Sequence, residues 1–445
     1  MYLHGTSRIN ERGHLEIGGC DTVQLAKQFG TPLYVLDEQL IRERCRAYVR
    51  AFQQSGVDFQ VAYASKALST MAICRIVDEE GLSLDVVSDG ELYTALKAGF
   101  PAGRIHFHGN NKTPEELKMA LDAKIGCIVV DNSTELKLLR SMATKRSQQV
   151  DVLLRLTPGI EAHTHEYIQT GQEDSKFGFS LANGHALQAV ETCQRSSYLR
   201  LLGFHCHIGS QIFDVRGYQV AMEKIGQFAS KCYERYDFTT RVINVGGGFG
   251  IRYVEGDRPL SPDAYVSAIV DGLKASFSHQ SELPAVWIEP GRSIVGEAGT
   301  TLYTVGTEKR IPGIRHYIAV DGGMTDNPRP ALYQAKYDAM LANKGNQTNR
   351  QVVSVAGKCC ESGDMLIWDC ALPEVEIGDI LAVGATGAYN YSMASNYNRI
   401  RKPAVVLVRD GKADVIVKRE TLDDIIAHDV IPERLANDIA LSRQE

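Results

Sequence analysis

The chain has no excess of positive charge: 48 Lys and Arg stand against 54 Asp and Glu, a formal charge of −6. The basic footprint of a nucleic-acid binder is missing, so no nucleic-acid partner is expected. No apolar run approaches the length of a membrane span, and the first ten residues lack the basic start and apolar core of a signal peptide. Neither membrane insertion nor secretion is therefore expected, and the cytoplasm is the expected location. The ten cysteines include no CxxC pair, which argues against a disulfide framework and for reduced thiols. Low-complexity tracts and short fixed-period repeats are also absent. What remains is 445 residues, 44% hydrophobic and 23% charged, a globular composition long enough for two or three domains.

Strand and helix signals alternate along the chain. Ile41, Cys45, Tyr48, Val49 and Phe52 recur at helical spacing, and further helices are expected at about 69–80 and 91–98. Thr113-Pro114-Glu115-Glu116 offers an N-cap, a proline in the first turn and a capping-box glutamate. Short apolar strands are expected at 59–64, 84–87, 105–108, 127–130, 151–156, 201–206, 241–245 and 285–289. Eight such units predict an α/β fold built on a parallel (β/α)8 barrel of TIM type, with a doubly wound open sheet as the alternative. A strand at 33–36 is surplus to the barrel and is free to join another sheet. Beyond about residue 293 strands dominate, at 300–305, 316–320, 352–355, 380–383, 404–408 and 413–417, which predicts a second, β-rich domain of barrel or sandwich kind. The expected division is 1–35 as N-terminal strands joining the β domain, 36–292 as the barrel and 293–445 as the β-rich domain.

In such barrels the working residues sit where strands end, on one face. Lys66, Asp85, His108, Arg155, His207, Gly246 to Gly248 and Glu289 all finish or follow an expected strand. Lys66 closes the run Val61-Ala62-Tyr63-Ala64-Ser65, where desolvation by apolar neighbours would free a nucleophilic amine for imine chemistry. Gly246-Gly247-Gly248-Phe249-Gly250 can bring backbone N–H groups up to a phosphate. Glu289-Pro290-Gly291-Arg292 pairs a carboxylate with a guanidinium at the last strand's mouth. In His205-Cys206-His207-Ile208-Gly209-Ser210-Gln211 only one imidazole is expected to enter the site, so no metal is expected; His163 and His165 are expected in a solvated loop. Cys359-Cys360-Glu361-Ser362-Gly363-Asp364 places a thiol beside a carboxylate, a possible proton donor. Each feature alone has an ordinary explanation: a snorkelling lysine, a flexible glycine loop, a surface salt bridge, two inert thiols.

Taken in order, these motifs together with Gly30-Thr31-Pro32-Leu33-Tyr34 and Gly387-Ala388-Tyr389 resemble the diaminopimelate decarboxylases over essentially the whole chain. These enzymes are members of the pyridoxal-phosphate family built like alanine racemase and the eukaryotic ornithine decarboxylases. The resemblance implies pyridoxal 5'-phosphate as cofactor, meso-diaminopimelate as substrate, L-lysine and CO2 as products, and a homodimer with shared active sites. It implies Lys66 as the lysine that carries the cofactor and His207 as the imidazole stacked on its ring. Ser210, Gly246, Gly247, Gly248, Gly291 and Arg292 would form the phosphate cradle, and Glu289 would face the pyridine nitrogen. Arg292, Arg329 and Tyr333 would hold the substrate's far carboxylate, Glu361 its distal ammonium, and Tyr389 would touch cofactor and substrate. Cys360 would be the acid that protonates the α-carbon, reaching the other subunit's pocket. The stretch 163–177, with Thr170-Gly171 and Asp174-Ser175-Lys176-Phe177, resembles a loop over that pocket. The alternatives are an ornithine or arginine decarboxylase, which should lack Arg329, and a cofactor-free regulatory protein, which should lack the lysine, the acid or the glycine loop.

Overall fold

The structure is a computed structural model of the chain and describes residues 1–159, 175–278 and 280–435. The eight expected barrel strands are present, at Phe59–Ala64, Ser83–Val86, Ile105–Phe107, Cys127–Val130, Val150–Thr157, Leu199–His205, Val242–Asn244 and Ala285–Ile288. Each pairs in parallel with the next, and the last returns to the first through Val286, Trp287 and Ile288 against Phe59, Gln60 and Val61. The sheet is therefore a closed barrel, and the doubly wound alternative does not hold. Helices cover its outer face, so both strand faces are buried and the strands read as continuous apolar runs rather than alternating ones.

Local chemistry starts the helices where the strands stop. The Asp37 carboxylate accepts from Leu40 N at the start of Glu38–Gln53, and Ser88 and Asn132 cap Asp89–Lys97 and Ser133–Arg146 in the same way. The capping box at Thr113 and Glu116 is made in full ahead of Pro114–Ala123. Among the described residues no helix is long and apolar enough to cross a membrane.

The strand period of two sorts the barrel's side chains. Val61, Tyr63, Leu84, Val86 and Ile288 point outward into the helix-packed core, whereas Cys127, Val129, Leu153 and Val242 meet inside with Trp287 against them. One strand breaks this period. In Leu199–His205, Leu201 pairs with Val152 and Gly203 with Leu153, so Leu202 is an extra residue in the strand. This bulge resets the parity: Leu201, Phe204 and Cys206 lie in the outer core, and His205 and His207 turn into the barrel. Close packing requires glycine at the bulge, because a Cβ on Gly203 would sit 1.9 Å from Val242 O.

The second domain is built around one long strand, Gly299–Ile311. On one side it pairs antiparallel with Arg315–Val320, which leads on to Gln351–Ala356 and Met365–Leu372. On the other it pairs with Leu33–Asp37, which pairs in parallel with Ala404–Arg409 and so with Lys412–Val417. Ile380–Val383 also joins it and carries Ala339–Leu341. The surplus N-terminal strand thus lies in the β sheet, while Arg8–Ile9, Leu15–Ile17 and Cys20–Asp21 form a small sheet of their own. Leu15, Ile17, Leu33, Val35, Leu302 and Val406 share a core beneath them.

Gly203→Ala is expected to destabilise the protein by at least about 1–3 kcal/mol, since the added methyl must displace backbone. Gly103→Ala, where a Cβ meets nothing within 4 Å, should shift the melting temperature little, and thermal denaturation of the two variants checks the contrast.

Candidate active site

A cavity of about 620 Å³ opens where the barrel strands end, within the range of small-molecule sites. The first strand delivers Lys66 on a 3-10 turn, Ser65–Ala67. Lys66 is exposed to the cavity rather than packed among apolar side chains, which corrects the expected desolvation: the apolar residues of the strand, Val61 and Tyr63, face the outer core. The turn itself is held rigidly. Ala67 O accepts from Tyr389 N at 2.9 Å and from Ser392 Oγ at 3.1 Å, which ties the lysine turn to the β domain.

Glu289 ends the eighth strand, buried inside the barrel mouth. Its Oε1 receives Asn244 Nδ2 at 2.6 Å and lies 3.0 Å from His108 Nε2, and its Oε2 lies 3.2 Å from His205 Nε2. Burial alone would raise the Glu289 carboxyl, but His108 and His205 outweigh it and hold the group well below the usual carboxylate range. Asp85, from the second strand, has fewer donors: burial pushes it up to about 6, with His108 opposing and Glu289 reinforcing. Glu91 is pushed up to about 7 by burial and by Asp85.

Both His205 and His207 line the cavity, contrary to the expectation that only one would. Residues two apart on a strand share a face, and the bulge sets which face that is. The two rings still do different work. His207 Nδ1 accepts from Gly247 N at 3.2 Å, and burial together with the Lys66 charge holds its imidazole well below its ordinary value. His108, His205 and Glu289 bring three ligand atoms within 4.8 Å of one another, but Glu289 pairs with both imidazoles, by a hydrogen bond to His205 and an ion-pair contact to His108, and we assign them no metal.

The glycine run is a packed junction, not a loose loop. A Cβ on Gly246 would lie 2.7 Å from Cys206 O, one on Gly247 2.1 Å from Glu289 O, and one on Gly248 2.3 Å from Gly209 O. Gly291 is pressed against Ala64 and Ala67. Nearby, Arg292 Nη2 donates to Ser210 Oγ at 2.8 Å and its guanidinium lies 4.7 Å from the centre of the Tyr389 ring. Arg329 comes from a short turn of helix in the β domain, Arg329–Tyr333, and is buried. Arg329 Nη1 donates to Tyr337 OH at 2.6 Å and the guanidinium lies over Tyr253 at 4.9 Å, with Tyr333 on the same cavity wall. Among the described residues neither Arg292 nor Arg329 has a carboxylate partner, an arrangement that suits anionic ligands because a buried cation without a counterion is costly.

Cys360 and Glu361 are not brought to this cavity within the chain. Both are exposed on the turn before Met365–Leu372, where Cys360 N donates to Asn398 Oδ1 at 2.8 Å. Cys359 is turned inward: Cys359 N donates to Asp364 Oδ2, and burial beside Asp364 pushes its thiol up to about 11. His163, His165 and residues 170–174 lie outside the described residues; Phe177, at the end of that stretch, stacks 4.1 Å from the Arg155 guanidinium. Sequence reasoning missed Asn244, Tyr253, Tyr337 and the buried pair Lys112–Glu135 at 2.8 Å, whose lysine also donates to Gly109 O and Val129 O behind His108. Asn244 alone had a readable signal, a polar residue at the inward position of an apolar strand.

A pyridoxal phosphate molecule fits this donor set. One cavity offers an exposed amino group at Lys66, a carboxylate kept anionic at Glu289, a guanidinium with a hydroxyl at Arg292 and Ser210, and backbone glycines where a Cβ would collide. Comparison with known proteins agrees. The family described as "Pyridoxal-dependent decarboxylase, pyridoxal binding domain" matches residues 38–296. The chain is 60% identical over 431 residues to the diaminopimelate decarboxylase of Bacillus subtilis, covering 97% of this chain and 98% of that protein. The crystal structure of diaminopimelate decarboxylase from M. jannaschii in complex with L-lysine superposes with a TM-score of 0.91 at 36% identity, covering 97% of this chain and 99% of that one. A lysine/ornithine decarboxylase from Vibrio vulnificus shares the fold, with a TM-score of 0.74 at 24% identity over 87% of this chain and 98% of that one.

The raised Asp85 carboxyl makes a stability prediction. A group bound to its proton more tightly in the fold than its ordinary 3.8 stabilises fully at low pH and loses that contribution as pH rises through about 6. Asp85→Asn should therefore gain about 2–3 kcal/mol over the parent at pH 8, with the gain vanishing toward pH 4, as read by denaturant titration of the apoprotein.

Proposed function

The chain belongs to the pyridoxal-dependent decarboxylases, among its diaminopimelate decarboxylases, and from that premise we propose that it converts meso-diaminopimelate to L-lysine and CO2, the last step of lysine biosynthesis. When bound, pyridoxal 5'-phosphate supplies an aldehyde for the substrate amine and a ring that takes up the electron pair released with CO2. Lys66, His207, Ser210, Gly246, Gly247, Gly248, Glu289, Gly291, Arg292 and Tyr389 are the residues that would hold it. Glu289 keeps a proton on the ring nitrogen, which makes the ring a stronger electron acceptor.

The observation that carries the substrate reading is the buried Arg329 guanidinium, set among Tyr253 and Tyr337 and without a carboxylate partner among the described residues. With Arg292 and Tyr333 it would take the carboxylate at the substrate's far end. An ornithine or arginine side chain has no anion to offer there and would leave a buried cation unpaired. Glu361 would receive the distal ammonium, and Cys360 would deliver the proton to the α-carbon after CO2 leaves. Because both residues are exposed and turned away from the chain's own cavity, this reading requires a homodimer in which they enter the partner's pocket. Exposed Trp368, Val352, Leu422, Ile426 and Val430 on the β domain and C-terminal segment are consistent with such an association. A soluble, cytoplasmic enzyme is the corresponding cellular form.

Two measurements test the proposal. Purified protein supplied with cofactor should release CO2 from meso-diaminopimelate but not from ornithine or arginine, and Arg329→Ala should raise KM steeply. Comparable rates on all three substrates would remove the distal-carboxylate reading. Lys66→Ala and Cys360→Ala should each be inactive, the former also lacking the visible cofactor band. Mixing and refolding the two should restore about a quarter of the parent's activity, because half the dimers then carry one intact site; no recovery would place the cysteine outside a shared site.

A further inference from the structure

Three polar side chains converge on one buried carboxylate, two by hydrogen bonds and one as an ion pair, and none of them has a role in the reading above. Resting on that reading of Glu289, we propose that His108, His205 and Asn244 are positioning residues that clamp the Glu289 carboxylate, with His108 as its counter-cation and His205 as a neutral donor. Asn244 Nδ2 and His205 Nε2 hydrogen-bond Oε1 and Oε2 at 2.6 Å and 3.2 Å, and His108 Nε2 lies 3.0 Å from Oε1 as an ion-pair contact. All four residues are buried. Desolvation drives an isolated buried carboxylate toward its neutral acid, a state that could not keep a pyridine nitrogen protonated. The clamp keeps Glu289 charged.

The two imidazoles are not equivalent. His108 Nε2 faces two carboxylates, Glu289 Oε1 at 3.0 Å and Asp85 Oδ1 at 3.7 Å, whereas His205 meets the Glu289 carboxylate alone. Their rings are 5.0 Å apart, so two cations there would repel each other. Among the described residues, charged or titratable groups facing the cluster include Asp85, Glu91, His106, Asp131, Arg155, Cys206 and His207, with Lys66 beyond them. Of these Arg155 is cationic and works against a second charged histidine. Burial takes His205 down to about 4, while Asp85 and Glu289 overcome the burial of His108 and hold it above its ordinary value.

Asn244 adds a mechanical link. Its Oδ1 accepts from Gly246 N at 2.9 Å, which leaves Nδ2 to face Glu289, and Glu289 N donates back to Gly246 O at 2.8 Å. The glycine junction and the carboxylate are thus fixed to one another by a side chain and a backbone bond. A shift of either would be passed to the other.

The test uses the full-length protein stripped of cofactor, reading the Kd for pyridoxal 5'-phosphate by quenching of intrinsic fluorescence, the visible spectrum after loading, and the apoprotein melting temperature. Removing a hydrogen bond to a buried charge corresponds to about a tenfold or greater loss of affinity. His108→Gln keeps a donor but removes the charge, and should weaken Kd about tenfold or more and alter the visible band. His205→Leu should weaken Kd similarly, and His205→Gln, which restores a neutral N–H, should recover most of it. Asn244→Ala should also weaken Kd. Unchanged Kd and spectrum in His108→Gln and His205→Leu, with apoprotein melting near the parent's, would overturn the clamp. A His205→Gln variant as impaired as His205→Leu would overturn the neutral-donor assignment. Failure of the parent itself to bind pyridoxal 5'-phosphate would instead defeat the functional reading beneath it, so the two failures are distinguishable.

Discussion

The site depends on parity inside a closed parallel barrel. Every strand has one face sealed by helices, so whatever occupies alternate positions must meet its counterparts from seven other strands. Deep in the barrel those positions are filled by Cys127, Val129, Leu153, Val242 and Trp287, an apolar plug. At the ends of the same strands they become Asp85, His108, Arg155, His205 and Glu289. The plug also takes in one imidazole, His106, stacked on Trp287 at 4.5 Å, whereas the polar groups at the mouth compensate one another and reach a cavity. The bulge at Leu202 and Gly203 belongs to this constraint, since a regular sixth strand would have aimed Phe204 inward and both histidines at the helices.

The second domain completes what the barrel begins. Its long strand Gly299–Ile311 follows the eighth barrel strand after one short helix, Arg292–Val295, so the cofactor-side arginine and the β sheet share a rigid connection. The N-terminal strand Leu33–Asp37 runs from that sheet directly into the first outer helix, with Asp37 serving as strand end and helix cap together. Two covalent connections and the Tyr389 to Ala67 bond then fix the domain against the barrel mouth. Arg329, Tyr333 and Tyr389 reach the cavity from this side, so both domains line it. Close glycine contacts serve the same end, since Gly387 lies where a Cβ would be 1.8 Å from Val295 O.

Legibility in the sequence followed burial and period. The eight barrel strands were readable because sealing both faces leaves short continuous apolar runs, and helix starts were readable because Thr113, Pro114 and Glu116 carry their own chemistry. Met365–Leu372 was not expected as a strand: it exposes Trp368 and Asp369, and Asp369 has a φ of 52°, so no regular pattern survives. Ala339–Leu341 is too short to show any period. The bulge was invisible because one glycine in an apolar run gives no register; His205 was misplaced because residues two apart on a strand share a face, so both histidines enter together. Tyr253 and Tyr337 come from irregular segments far apart in the chain, brought together at 5.3 Å only by the fold. Lys66, Glu289 and the glycine run were found because barrel geometry says where a working residue must lie, whereas Cys360 and Glu361 could be connected to the chemistry only by resemblance.

That last pair shows how far a single chain can carry the reaction. Asp364 shapes the turn by accepting from Cys359 N and Met324 N, and it draws Cys359 inward while leaving Cys360 in solvent. A thiol buried beside a carboxylate binds its proton too firmly to exchange it readily with a carbanion at a distant site, so Cys359 is a structural member of the turn. Cys360 has the opposite situation: exposed, held through its backbone by Asn398, and followed at once by the Glu361 carboxylate. Solvent exposure is unsuited to protonating a carbon centre selectively, because water would compete. Among the described residues the cavity holds the Lys66 amine, the carboxyl groups of Asp85, Asp257 and Glu289 and the Arg292 and Arg329 guanidiniums, whereas the thiol of Cys360 and the carboxylate of Glu361 are presented outside it on this exposed turn.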